Sequence, residues 1–205
     1  MKQLILWFLV AMIPLFCACS SESPNVISKG ISLKDASAVL DVSRVLPSNF
    51  EHLDANKEGY SHEDLGLSKQ ASEVELFSSG EPFQIIYSYF AIYEKRTQQN
   101  DIDVLMKDDQ QAQYFYQESI KELASKEGLD VTVSDVKVTH PEIGDLALLT
   151  EGSTTTHGTI SCFDSLTFKL NNVYVFVYSI YYSSDRLSLI PIAQEIEQHI
   201  TNFTQ

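Results

Sequence analysis

Residues 159–182 constrain the fold of this chain more than any other stretch. Two runs rich in β-branched and aromatic residues, Thr159–Leu170 and Val173–Tyr182, flank Asn171-Asn172. Asn tolerates positive φ, so the pair suits a two-residue hairpin turn. Such a turn sets the register. Leu170 opposes Val173, Phe168 opposes Val175, and Leu166 opposes Val177. Those six side chains form one apolar face, and Cys162 shares its parity, which predicts an inward and unreactive thiol. The other face pairs Lys169 with Tyr174, Thr167 with Phe176 and Ser165 with Tyr178, polar on one strand and aromatic on the next. Ile180 and Tyr182 extend the aromatic side. The stripe Tyr174, Phe176, Tyr178, Tyr182 has two readings. A helix or loop covers it as core, or it lines a surface for an apolar ligand or an envelope protein partner.

The rest of the chain supplies cover for such a sheet. Ser32-x-x-Asp35, followed by Leu33, Ala36, Val39 and Leu40, predicts a short capped helix with one apolar face, closed by Leu46-Pro47. Residues 51–70 are polar and acidic and read as a long loop. Glu73–Phe77 is a short strand. Phe83–Glu94 alternates aromatic and β-branched residues, which favours a strand, although Pro82 also suits a helix start. Lys107–Lys126 carries Ala112, Phe115, Tyr116, Ile120 and Leu123 at helical spacing, with Gly128 as its cap. Val131–Thr139 alternates with a phase slip that predicts a bulge near Ser134-Asp135. Leu146–Thr150 is a strand and Gly152–Gly158 a turn-rich loop. Ser188 caps a last helix whose face is Leu189, Ile192, Ile196 and Ile200. The order predicts an α+β domain, an antiparallel β-sheet meander flanked by helices.

The chain begins with a short basic segment, Met1-Lys2, and an apolar run, Leu4–Phe16. That run is a secretory leader in form and too short for a mature spanning helix. It ends Leu15-Phe16-Cys17-Ala18-Cys19, which resembles the lipobox of bacterial lipoproteins. The resemblance implies a signal peptide over 1–18, lipid on Cys19, a flexible tether over 19–31 and one domain over 32–205. It places the domain on the extracytoplasmic face of a bacterial membrane. An ordinary cleaved signal with incidental cysteines is the alternative. The formal charge of −14 becomes −15 without the leader, which holds Lys2 and no acid. An acidic surface argues against nucleic acid and against lying flat on anionic lipid.

The residue clusters that catalysis needs are missing. No nucleophile elbow surrounds Ser153, no phosphate loop occurs, and the five histidines are scattered. His157, Asp164 and Ser165 are close in sequence, which is no criterion for a triad. Asp54, Asn56, Glu58 and Gly59 resemble the start of an EF-hand calcium loop. Its twelfth position is Leu65 instead of Glu, with Glu63 and Asp64 falling early. A solvated acidic loop is the simpler reading. No catalytic residue, metal or cofactor is expected.

Ile143-Gly144-Asp145, the turn and strand NNVYVFVYS, and the closing helix IPIAQEIEQHI share a familiar layout. Over residues 130–202 it resembles PsbP/Mog1-like exported lipoproteins and extracytoplasmic sensor domains. The whole chain also resembles a bacterial lipoprotein family of uncharacterised activity. The first resemblance implies a curved sheet between helices and a non-enzymatic binding, sensing or accessory role, and it transfers no functional residue. The rival function is a calcium-dependent or hydrolytic cell-surface enzyme.

Overall fold

The computed structural model describes residues 31–62, 65, 67–81, 83–126, 130–156, 159–182 and 187–204. Cys19, the leader and the tether up to residue 30 lie outside the described residues. Ile31, the first described residue, is buried.

Seven antiparallel strands form one sheet: β1 (Phe50–Leu53), β2 (Glu75–Ser79), β3 (Gln84–Ile92), β4 (Thr132–Thr139), β5 (Leu146–Thr156), β6 (Thr159–Leu170) and β7 (Val173–Tyr181). Their spatial order is β1-β2-β3-β7-β6-β5-β4. Two meanders therefore meet where β3 lies beside β7. These two central strands are buried on both faces along nearly their whole length. The strand reading of Phe83–Glu94 holds.

The helices divide between the two faces. A 3₁₀ turn at Leu33–Asp35 leads into α1 (Ala36–Val39), and α5 (Leu189–Thr204) closes the chain. The Asp35 carboxylate accepts from Ser32 N, as the capping pattern predicts, and also from Ser32 Oγ. Val39, Leu40, Leu189, Ile192, Ile196 and Ile200 pack on Leu166, Phe168, Val173, Val175 and Val177. A one-turn helix, α2 (Ala55–Glu58), and the segment after it cover part of the opposite face, with the Tyr60 ring 6.1 Å from that of Tyr87. Two further helices, α3 (Arg96–Lys107) and α4 (Asp109–Lys126), carry the chain from central β3 to edge strand β4. On the way they cross the aromatic face.

The hairpin register is as read from the sequence, from Leu170↔Val173 to Cys162↔Tyr181. Asn171 takes φ 57. The Ile143-Gly144-Asp145 corner braces this turn: Asp145 N donates to Lys169 O at 2.7 Å, and Asn171 N donates to Asp145 Oδ2 at 2.6 Å. Position 144 needs glycine twice over: its φ is 60, and a Cβ there would lie 2.2 Å from Lys169 O. The β4 bulge falls between Ser134 and Lys137, with Asp135 at φ 54.

Five sequence expectations need correction. The first helix ends at Val39, well before Leu46-Pro47. The stretch 51–70 is not all loop, since it begins with β1 and contains α2. The second strand lies two residues later than expected. Helix α3 was not anticipated: the first six residues of RTQQNDIDVLMK are polar, and only Ile102 and Met106 are buried. Gly152–Thr156 continues β5, because its backbone pairs with β4 on one side and β6 on the other. Gly128 lies outside the described residues.

Candidate functional site

The register lays two rows of side chains across the face beneath α3 and α4. One row runs Tyr87, Tyr178, Ser165, Thr150 across β3, β7, β6 and β5; the next runs Tyr89, Phe176, Thr167, Leu148. The β3–β7 half is aromatic. Tyr87 stacks on Tyr178 at 4.7 Å between centroids, and Tyr89 on Phe176 at 4.8 Å. The β5–β6 half is made of short side chains. Bulky rings beside short hydroxyls leave unfilled space under a helical cover.

That space is a cleft of about 60 Å³. Ile102, Leu105 and Met106 of α3 and Ala112, Phe115 and Tyr116 of α4 line its helical side. Leu148, Thr150, Ser165, Thr167, Phe176 and Tyr178 line its sheet side. Drug-sized ligands occupy about 300–1,000 Å³, whereas one water takes about 30 Å³ of liquid. The cleft as it stands holds a small group or a few waters, one water needing about 10–15 Å³ of such space. Its lining is apolar on the helices and partly hydroxylated on the sheet, so it suits a molecule with one polar end.

One hydroxyl at the sheet side, that of Tyr178, has two hydroxyl neighbours. Tyr178 hydrogen-bonds with both Tyr89 and Ser165. Burial pushes the Tyr178 phenol up to about 12, the two hydrogen bonds drawing it partly back. Tyr87 and Tyr89 are raised further by burial, so all three rings are neutral at any physiological pH.

Polar contacts along both helices hold the cover in place. Lys169 Nζ lies 2.6 Å from Asp103 Oδ2, and Tyr174 OH donates to Asp103 Oδ1 at 2.7 Å. The same ammonium sits 5.2 Å from the Tyr174 ring centroid. This clamp ties the middle of α3 to the β6–β7 hairpin. On α4, the Tyr116 ring lies over Gly152, whose absent side chain makes room for it, and Tyr116 OH donates to Phe163 O at 2.9 Å. At the start of α4, Asp109 meets His140.

The stripe residues named from sequence fall in two places. Tyr174, Phe176 and Tyr178 are buried together, and Phe176 and Tyr178 reach the cleft. Tyr182 stands apart with 43% exposure, against Phe83 at 5.6 Å. The residues that sequence reasoning missed are those of α3, whose polar composition hid its inner edge.

Cys162 keeps the predicted parity but is half-buried, so it lies at the margin of the α5 face instead of inside it. Asp164 and Ser165, adjacent on β6, point to opposite faces. His157, Glu63 and Asp64 lie outside the described residues. Asp54 caps α2 through Asn56 N at 3.2 Å and pairs with Lys57, while Gly59 ends the turn at φ 78. The buried Glu75 carboxylate accepts from Ser37 Oγ at 2.6 Å and contacts His52. The acid stands between serine and imidazole there, so the imidazole has no path to the serine proton. Among the described residues, no three His, Cys, Asp or Glu side chains gather as a metal site, and no helix is long and apolar enough to cross a membrane.

No family model matches the chain, and no curated protein matches it. Among solved structures it is similar to the extracellular domain of PknH from Mycobacterium tuberculosis, with a TM-score of 0.48 and 13% identity. The match covers 86% of this chain and 100% of that one. At that distance no residue role carries across.

Proposed function

We propose that this protein is a lipid-anchored extracytoplasmic binding or accessory protein that works without catalysis. Cys19 holds it to the membrane, and the cleft between α3–α4 and β5–β7 receives a small amphipathic ligand. The cleft carries the binding part of this reading: its helical wall is apolar, while Thr150, Ser165 and Thr167 offer hydroxyls from the sheet. The Ala18-Cys19 junction after the Leu4–Phe16 run carries the address. Two acyl chains suffice for stable anchoring, at about 0.8 kcal/mol per buried CH₂.

Both halves are testable on one preparation. The Cys19→Ala variant is expected to leave the membrane fraction or to accumulate as uncleaved precursor. Mass spectrometry of the mature wild-type chain is expected to find a lipidated Cys19. An unmodified N-terminus elsewhere refutes the anchor. A series of short n-alcohols is expected to raise the melting temperature by mass action, with a chain-length optimum set by the cleft. A monotonic fall with chain length refutes the binding site.

A further inference from the structure

Helices α3 and α4 meet at a sharp elbow beside the cleft. Asp108 stands between them in an extended conformation, and its Oδ1 accepts from Gln110 N and Gln111 N at 3.0 Å each. The next residue, Asp109, reaches across to the segment joining β4 to β5. There His140 Nε2 lies 2.7 Å from Asp109 Oδ1, and His140 Nδ1 lies 3.0 Å from Ala147 O. A carboxylate and a carbonyl oxygen are both acceptors. Neutral imidazole has one N–H and satisfies one of them. Imidazolium has two and satisfies both. The site is therefore built for the cation.

We propose that His140 is a pH-operated latch: its imidazolium pins the α3–α4 elbow to the β4–β5 corner, and the cover over the cleft loosens when the proton leaves. The elbow is close to the cleft by construction. Met106 and Ala112 flank it, Leu148 follows Ala147, and all three line the cleft. The latch rests on the elbow's geometry and not on what the cleft binds.

Neighbouring charges are otherwise engaged or turned to water. Asp108 is taken up in accepting from the first turn of α4, and Lys107 is exposed. Lys137 faces Glu151 at 3.7 Å, Asp145 holds Asn171 N, and Glu142 is exposed. The hydrogen bond to Asp109 raises the pKa of His140 above its ordinary 6.5, the Ala147 contact adds to this, and partial burial opposes it. A raised histidine pKa contributes stability that is complete below the unfolded value and is lost as pH rises through the folded one. The latch is thus closed in mild acid and opens on the alkaline side of 6.5. The side chains of His140 and Asp109 are 40% and 62% exposed, so solvent screens the pair and the loosening is graded.

Amide hydrogen exchange on the purified protein tests this, read at about pH 5.5 and about pH 8.5 and corrected for intrinsic rates. Protection across the end of α3 and the first turns of α4 is expected to fall several-fold at the higher pH. In His140→Gln it should be low at both pH values, and Asp109→Asn should show the same loss if the first variant folds poorly. The NMR titration midpoint of His140 should lie above 6.5 and drop in Asp109→Asn. Protection that is flat with pH in the wild type, an equal fall in His140→Gln, or a midpoint at or below 6.5 overturns the latch.

Discussion

Replacing Phe176 by alanine tests whether the aromatic stripe carries the fold. Phe176 is 9% exposed, stacks on Tyr89 at 4.8 Å and 19°, and faces the cleft. Burying a phenylalanine is worth about 1.5–3 kcal/mol. A stacked pair adds about 0.5–1.5 kcal/mol. Large aromatic truncations usually cost about 3–5 kcal/mol, part of it from the void left behind. Here the void merges with an existing cleft that water reaches, so the expected loss is at the low end, about 3 kcal/mol. For a domain of this size that is about 6–12 °C in melting temperature. The assay is urea unfolding with unchanged slope. Two comparisons sharpen it. Val175→Ala, on the opposite face and fully buried, should cost about 1–3 kcal/mol. Tyr182→Ala, in the same stripe but 43% exposed, should cost under about 1 kcal/mol. If Phe176→Ala loses no more stability than Tyr182→Ala, the stripe is not under packing load and the layered assignment fails.

Gly144→Ala should destabilise by at least about 2 kcal/mol, since it combines positive φ with a Cβ placed 2.2 Å from Lys169 O; an unchanged denaturation midpoint would remove the corner's bracing role. Asp103→Asn keeps an acceptor for Tyr174 but deletes the charge facing the mostly buried Lys169. It should cost about 1–2 kcal/mol, and a double-mutant cycle with Lys169→Met should show coupling of at least about 0.5 kcal/mol. Additive effects in that cycle would dismiss the clamp.

The second meander was legible because its signals were local and strong. Asn171-Asn172, two long alternating runs and the phase slip near Ser134-Asp135 each specify geometry within a few residues, and the register followed directly. The closing helix was legible for the same reason, its four apolar positions all buried. The missed elements depend on partners. β1 offers four residues, FEHL, half-buried only at its ends, and becomes a strand by pairing with β2. The end of β5 reads as a turn in composition, yet it has strands on both sides to pair with. α3 buries two side chains out of twelve and is held by Asp103, a residue that reads as surface charge until Lys169 and Tyr174 come beneath it. The cleft inherits this difficulty. Its sheet side was half visible in the alternation of Ser165 and Thr167 with Tyr178 and Phe176. Its other wall comes largely from the helix that the sequence hides.

The two faces of the sheet solve the same burial problem with different chemistry. Beneath α1 and α5 the large contacts are mostly Val, Leu, Ile and Phe, with a small buried polar set beside them in which Gln84 donates to Ser179 Oγ at 2.8 Å and Tyr181 OH to Asp164 Oδ1 at 3.3 Å. Beneath α3 and α4 the large side chains are mostly tyrosines, and each buried hydroxyl needs a partner at a set distance and direction. Tyr178 finds Tyr89 and Ser165, Tyr174 finds Asp103, and Tyr116 finds the Phe163 carbonyl. Meeting those directional demands restricts how closely the helices can settle, and the cleft lies where the short hydroxyl side chains of β5 and β6 leave the gap unfilled. The aliphatic face therefore serves stability. The tyrosine face trades some packing for polar atoms set at fixed positions around a small space, under a cover with a polar clamp at its middle and a titratable contact at its elbow. Polar atoms held around a small space are what the proposed binding site rests on, and the aliphatic face offers no such space among the described residues.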